Sequence, residues 1–246
     1  MTAPANTAPA KKAGKVEPYT AQRALDLFNT YADPDASDTI GPDGFQQLCE
    51  DAGMPMEGAR PLIFAWQTDS PEMGKITKDE WVKTMSTFKI ASMPGISIAM
   101  SELEELLFTE KAPKNAGKDY DKAAFNVHAA NPKAAFQKLY MFSFSLVKPE
   151  QSKNIDMETS VAFWTALLVP KYPLMSEIID FINEHKGSYK ATNKDLWSMM
   201  LEFCETVKPT LQDYEADGAW PTLLDDFVAW KTSQPANGNA NKMREN

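Results

Sequence analysis

Asp33-Pro34-Asp35-Ala36-Ser37-Asp38-Thr39-Ile40-Gly41-Pro42-Asp43-Gly44 and Asp69-Ser70-Pro71-Glu72-Met73-Gly74-Lys75-Ile76-Thr77-Lys78-Asp79-Glu80 are two loops written to one plan. A helix–loop–helix calcium loop needs oxygen ligands at positions 1, 3 and 5, glycine at 6, and a bidentate glutamate at 12. The first loop has Asp33, Asp35 and Ser37 at 1, 3 and 5 and Ile40 at 8, but Asp38 stands at 6 and Gly44 at 12. The second fits at Asp69, Gly74, Ile76 and Glu80, whereas Pro71 and Met73 replace ligands. Each loop keeps the scaffold and loses part of the cage. The residues favour a degenerate pair in which Ile40 and Ile76 join the loops and no functional metal site survives. A calcium-responsive helical binding protein is the alternative.

Outward from these EF-hand-like loops the apolar spacing is helical nearly everywhere. Ala24, Leu25, Leu27 and Phe28 open the series, Trp81, Val82, Met85 and Phe88 follow the second loop, and Leu223, Leu224, Phe227 and Trp230 close it. Strand-like alternation is nearly absent, so the expectation is an all-α protein of about ten helices. Pro94-Gly95, Pro113, Pro132, Pro149, Pro170, Pro173, Gly187 and Gly218 punctuate the pattern where helices stop or start. The weakly periodic stretch Pro113–Pro132 reads as the connection between an EF-hand-like half (18–112) and a C-terminal helical half (133–231) packed on it. The flanks 1–17 and 232–246 are rich in Ala, Pro, Lys, Asn and Gly and read as mobile tails.

A chain of 246 residues at 43% hydrophobic is long enough for one substantial core or two small ones. Lys11, Lys12, Lys15 and Glu17 give the first tail +2, and Lys242, Arg244 and Glu245 give the second +1, so the whole-chain charge of −9 leaves −12 in the body. That balance disfavours nucleic acid and anionic membranes and favours basic protein surfaces. Cys49 and Cys204 are far apart and fit neither a disulfide framework nor a zinc site. No apolar run approaches a membrane span, and Met1-Thr2 begins neither a secretion signal nor a myristoylation motif.

Chemistry-bearing groups are sparse. His128 falls in the polar connection, and His185 falls at a helix end, where a histidine complements the carbonyl dipole. Both cysteines sit among apolar neighbours as packing residues. No phosphate loop, dinucleotide fingerprint or serine elbow is present, so a cryptic hydrolase is disfavoured and no cofactor is expected. The stretch from Lys194-Asp195-Leu196-Trp197 to Leu224-Asp225-Asp226-Phe227 instead sets aromatic anchors beside carboxylates. Those residues support two readings: a helix buried by its aromatic face, or a docking surface for a basic partner.

Ile40-Gly41-Pro42-Asp43-Gly44-Phe45-Gln46-Gln47-Leu48-Cys49, Ala65-Trp66, Tyr140-Met141-Phe142-Ser143-Phe144, Ala162-Phe163-Trp164, Asp217-Gly218-Ala219-Trp220-Pro221 and Leu224-Asp225-Asp226-Phe227-Val228 occur in that order. Together they strongly resemble the defective-in-cullin-neddylation family, whose PONY (potentiating neddylation) domain would cover about 20–231. The resemblance implies an all-helical scaffold co-ligase without catalysis of its own, working in the nucleus and cytoplasm. Its implied partners are the cullin's C-terminal winged-helix region, the N-acetylated neddylation conjugating enzyme and, beside them, the cullin's RING subunit. The family's acidic cullin-binding set falls on Asp195, Ala219 and Asp225. Its acetyl-methionine pocket falls on Pro42, Phe45, Leu62, Phe64, Met73, Ile76, Leu146, Phe163 and Ala166. Ubiquitin binding is not expected, because the first 17 residues are too short for a ubiquitin-binding domain.

Overall fold

The computed structural model describes residues 16–111 and 119–234. The expected mobile tails lie almost wholly outside the described residues, as does the beginning of the 113–132 connection. Among the described residues the chain is all-α: eleven helices and four strands of two or three residues. These described residues divide into two compact units, one within 16–56 and 60–135 and the other within 57–59 and 136–234.

The first unit contains α1 (Ala21–Tyr31), β1 (Thr39–Ile40), α2 (Pro42–Asp51), α3 (Arg60–Thr68), β2 (Ile76–Thr77), α4 (Lys78–Phe88), α5 (Met93–Thr109) and α6 (Ala123–Ala129). β1 and β2 pair antiparallel with Ile40 opposite Ile76, as the loop alignment predicts. Both isoleucines are fully buried. Around them Phe28 and Phe64 meet Trp81 edge-on at 5.9 and 6.2 Å, and the Trp81 indole donates to Ala24 O at 2.8 Å. Each such side chain contributes about 1.5–3 kcal/mol by leaving water.

The carboxylates that would close a calcium cage are used on the backbone. Asp33 Oδ1 accepts from Gly41 N at 3.1 Å, just ahead of α2. Glu80 Oε2 accepts from Thr77 N at 2.8 Å, and Thr77 Oγ1 accepts from Glu80 N, a capping box at the start of α4. The loops have thus turned metal ligands into helix-start acceptors.

Residues 119–132, expected to connect the halves, fold largely with the first unit. Asp121 N donates to Phe88 O at 2.7 Å. Tyr120 is buried against Phe88, and its hydroxyl donates to Glu102 at 2.6 Å. Glu102 also pairs with Lys122. The helix unforeseen in this segment, α6, buries only Phe125, too little for its period to register in sequence.

The second unit holds most of α7 (Pro132–Val147), then β3 (Asn154–Asp156), α8 (Met157–Leu167), α9 (Leu174–Glu184), β4 (Ala191–Asn193), α10 (Lys194–Thr206) and α11 (Thr222–Ser233). It repeats the plan of the first. β3 and β4 pair antiparallel with Ile155 opposite Thr192, both buried, and a capped helix follows each strand directly. Asp156 Oδ1 accepts from Thr159 N to start α8, and Asn193 Oδ1 accepts from Leu196 N to start α10, both at 2.8 Å. At the core Trp197 stacks on Tyr140 at 4.7 Å and on Trp164 at 5.6 Å. The Tyr140 hydroxyl donates to Trp197 O at 2.7 Å and accepts from Trp164 Nε1 at 2.9 Å.

Candidate functional site

Asp195 lies in the first turn of α10, exposed, and forms no ion pair with another described residue. The helix is anchored from behind by buried Trp197 two residues on. A carboxylate in a first turn faces unsatisfied backbone N–H groups and is favoured there by the helix dipole. Its charge remains available to an external cation.

Ala219 is exposed in the loop between α10 and α11. The loop is pinned by Trp220, whose ring meets Phe203 of α10 at 5.2 Å and 90°. Gly218 is required there: a Cβ would fall 2.8 Å from Trp220 Nε1 and 2.9 Å from Glu215 O. The small side chain of Ala219 therefore sits at the edge of a tight, rigid turn.

Asp225 stands half-buried in the first turn of α11 and accepts from the Tyr214 hydroxyl at 2.6 Å. That hydrogen bond, followed by burial, pushes the Tyr214 phenol up to about 12, so at neutral pH the phenol stays a donor and holds the carboxylate in one orientation. Leu223, Leu224, Phe227 and Val228 bury the other side of the helix, and Phe227 meets Phe203 and Phe181 edge-on. One aromatic cluster thus ties together the two helices and the loop that carry Asp195, Ala219 and Asp225. Trp197 and Phe227, fully buried, support this frame. Tyr214 was not legible as a partner of Asp225, because no sequence spacing marks a loop phenol that turns back onto a helix.

The expected pocket residues divide between the units. In the first, Pro42 opens α2 at the surface, Phe45 stacks on Phe64 at 6.4 Å, Leu62 is buried in α3, Met73 is half-buried in its loop, and Ile76 lies in β2. Phe64 and Ile76 are at 0% exposure and belong to this unit's core. In the second, Leu146 of α7 is 6% exposed, and Phe163 and Ala166 of α8 are half-buried.

Among the described residues the cysteines and histidines are taken up in packing and capping. Burial pushes the Cys49 and Cys204 thiols up to about 12, so neither ionises at neutral pH. The His128 ring packs on Trp66 at 4.6 Å. His185 caps α9, with Nδ1 2.8 Å from Phe181 O. Among the described residues no cluster of three or more His, Cys, Asp or Glu side chains could hold a metal ion, and no helix is long and apolar enough to cross a membrane.

A rigid helical surface bearing oriented, uncompensated carboxylates defines a protein-binding module, and the Cullin binding family matches residues 117–230. Human DCN1-like protein 5 is 30% identical over 223 residues, covering 91% of this chain and 83% of that protein. The same protein from Bos taurus is 31% identical over 222 residues, 90% and 83%, and DCN1-like protein 4 from Danio rerio is 30% identical over 216 residues, 88% and 68%. The chain belongs to the cullin-binding DCN1-like family, which places it in cullin neddylation.

Proposed function

We propose that this protein is a non-catalytic co-ligase that holds a cullin and the neddylation conjugating enzyme together. Asp195, Ala219 and Asp225 form the face that receives the cullin's C-terminal winged-helix region. The two carboxylates pair with basic side chains, and Ala219 lets the partner backbone approach closely. The observation that carries this reading is the Tyr214-oriented carboxylate of Asp225, inside the stretch that matches the cullin-binding family. Asp195→Lys or Asp225→Lys abolishes binding of the purified cullin C-terminal region in calorimetry while circular dichroism stays unchanged. Wild-type affinity in both variants refutes the assignment.

The family resemblance assigns recognition of the conjugating enzyme's acetylated N-terminal methionine to Pro42, Phe45, Leu62, Phe64, Met73 and Ile76 of the first unit and to Leu146, Phe163 and Ala166 of the second. An apolar pocket suits an acetylated terminus because acetylation removes the ammonium charge that would otherwise have to be desolvated. An acetylated peptide of that N-terminus binds more tightly than the free-amine peptide in calorimetry; equal affinities remove the pocket from the account. Chemistry then resides in the partners, the RING subunit included. The protein's contribution is effective concentration and orientation, which lower the entropic part of the barrier.

A further inference from the structure

The end of α9, the approach to β4 and the outer face of α11 enclose a groove of about 540 Å³, lined by Phe181, His185, Ser188, Tyr189, Thr222, Asp226 and Trp230. Phe181, 2% exposed, forms its base. Around it stand His185, Tyr189 and Trp230, with ring centroids 4.5, 5.7 and 5.5 Å from that of Phe181. Thr222, Asp226 and Trp230 follow one another at four-residue intervals along one stripe of α11. Two carboxylates hold two of these rings: the Tyr189 hydroxyl donates to Asp226 at 2.7 Å and the Trp230 indole to Glu184 at 3.2 Å. Neither carboxylate forms an ion pair with another described residue. Among the described residues no lysine or arginine lines the groove. Lys186 and Lys190 line a different cavity, which shares Tyr189 as a wall.

Aromatic faces attract cations through their quadrupole, and the attraction grows where water is excluded. Carboxylates at the rim add Coulombic attraction. An anion would be repelled, and a purely apolar group would leave two negative charges uncompensated. Asp226 directly follows Asp225 on α11, within the stretch that matches the cullin-binding family.

We propose that this aromatic groove is a subsite for one lysine or arginine side chain of the docked cullin. The inference rests on the cullin-binding reading above, and it adds a further cationic contact that the Asp195, Ala219 and Asp225 set does not contain.

The test uses the full chain and the purified cullin C-terminal region. Asp226→Asn and Trp230→Leu each weaken binding by about 2- to 30-fold, the range of a single cation–aromatic contact, with thermal unfolding confirming that both variants are folded. A scan replacing the cullin's surface lysines and arginines singly by glutamine then finds one whose loss is not additive with Asp226→Asn. Wild-type affinity in both groove variants, with Asp225→Lys still abolishing binding, overturns this inference and leaves the cullin-binding reading standing. Wild-type affinity in all three overturns both. Weakening by the groove variants without any coupled basic residue overturns the choice of occupant. A gain in affinity for the double variant Lys242→Gln/Arg244→Gln also overturns it, by assigning the groove to this chain's own tail.

Discussion

Asp156 ends β3 and begins α8, where its carboxylate accepts from Thr159 N at 2.8 Å and from the Thr159 hydroxyl at 2.7 Å. Those bonds, the backbone one first, hold its carboxyl below the usual carboxylate range. A depressed folded-state value means the unfolded chain takes up the proton first, so the stabilisation is complete above the unfolded value near 3.9 and is lost as the pH falls toward the folded one. Asp156→Ala therefore costs about 1 kcal/mol at pH 7. In thermal unfolding the gap between variant and wild type narrows below about pH 4. A gap that persists undiminished at pH 2 would show that packing, and not the cap, is lost. The same attention to single groups separates Asp195 from Asp225. Both positions follow from the family resemblance, whereas the orientation of Asp225 depends on Tyr214, eleven residues earlier, which no motif marks.

At the scale of elements, the first strand pair was legible because calcium-loop positions are fixed in number, so position 8 named Ile40 and Ile76 before any pairing was seen. The second pair, Asn154–Asp156 with Ala191–Asn193, carries no such ligand grammar, and three residues are too few for a period of two to register. The units nevertheless solve one problem identically. A short antiparallel pair joins two loops, and each following helix starts on a hydrogen-bond acceptor supplied nearby: Asp33, Glu80 with Thr77, Asp156 and Asn193. In the first unit this commits the loop carboxylates of Asp33 and Glu80 to backbone amides. Calcium titrated to micromolar concentration should give no calorimetric heat of binding and no change in thermal stability, while a saturable micromolar response would restore the calcium-responsive reading.

For the whole molecule, the acidic balance of −9, two thiols held protonated by burial and exposed carboxylates on a frame of buried aromatics all fit a protein that works by holding others. Family membership follows from similarity along some nine-tenths of the chain, and the motif order in the sequence already pointed there. The groove between α9 and α11 was not legible, since Phe181, Tyr189 and Trp230 are separated by stretches of chain that only the tertiary fold brings together. Under the proposed co-ligase role, acceleration should depend on contact with the cullin and leave charging of the conjugating enzyme untouched. The decisive measurement is the rate of cullin modification in a reconstituted neddylation reaction with and without this protein. Acceleration by the wild type, lost in Asp195→Lys and Asp225→Lys at unchanged charging of the conjugating enzyme, is the predicted result; a rate indifferent to the protein, or equal acceleration by both variants, would contradict it.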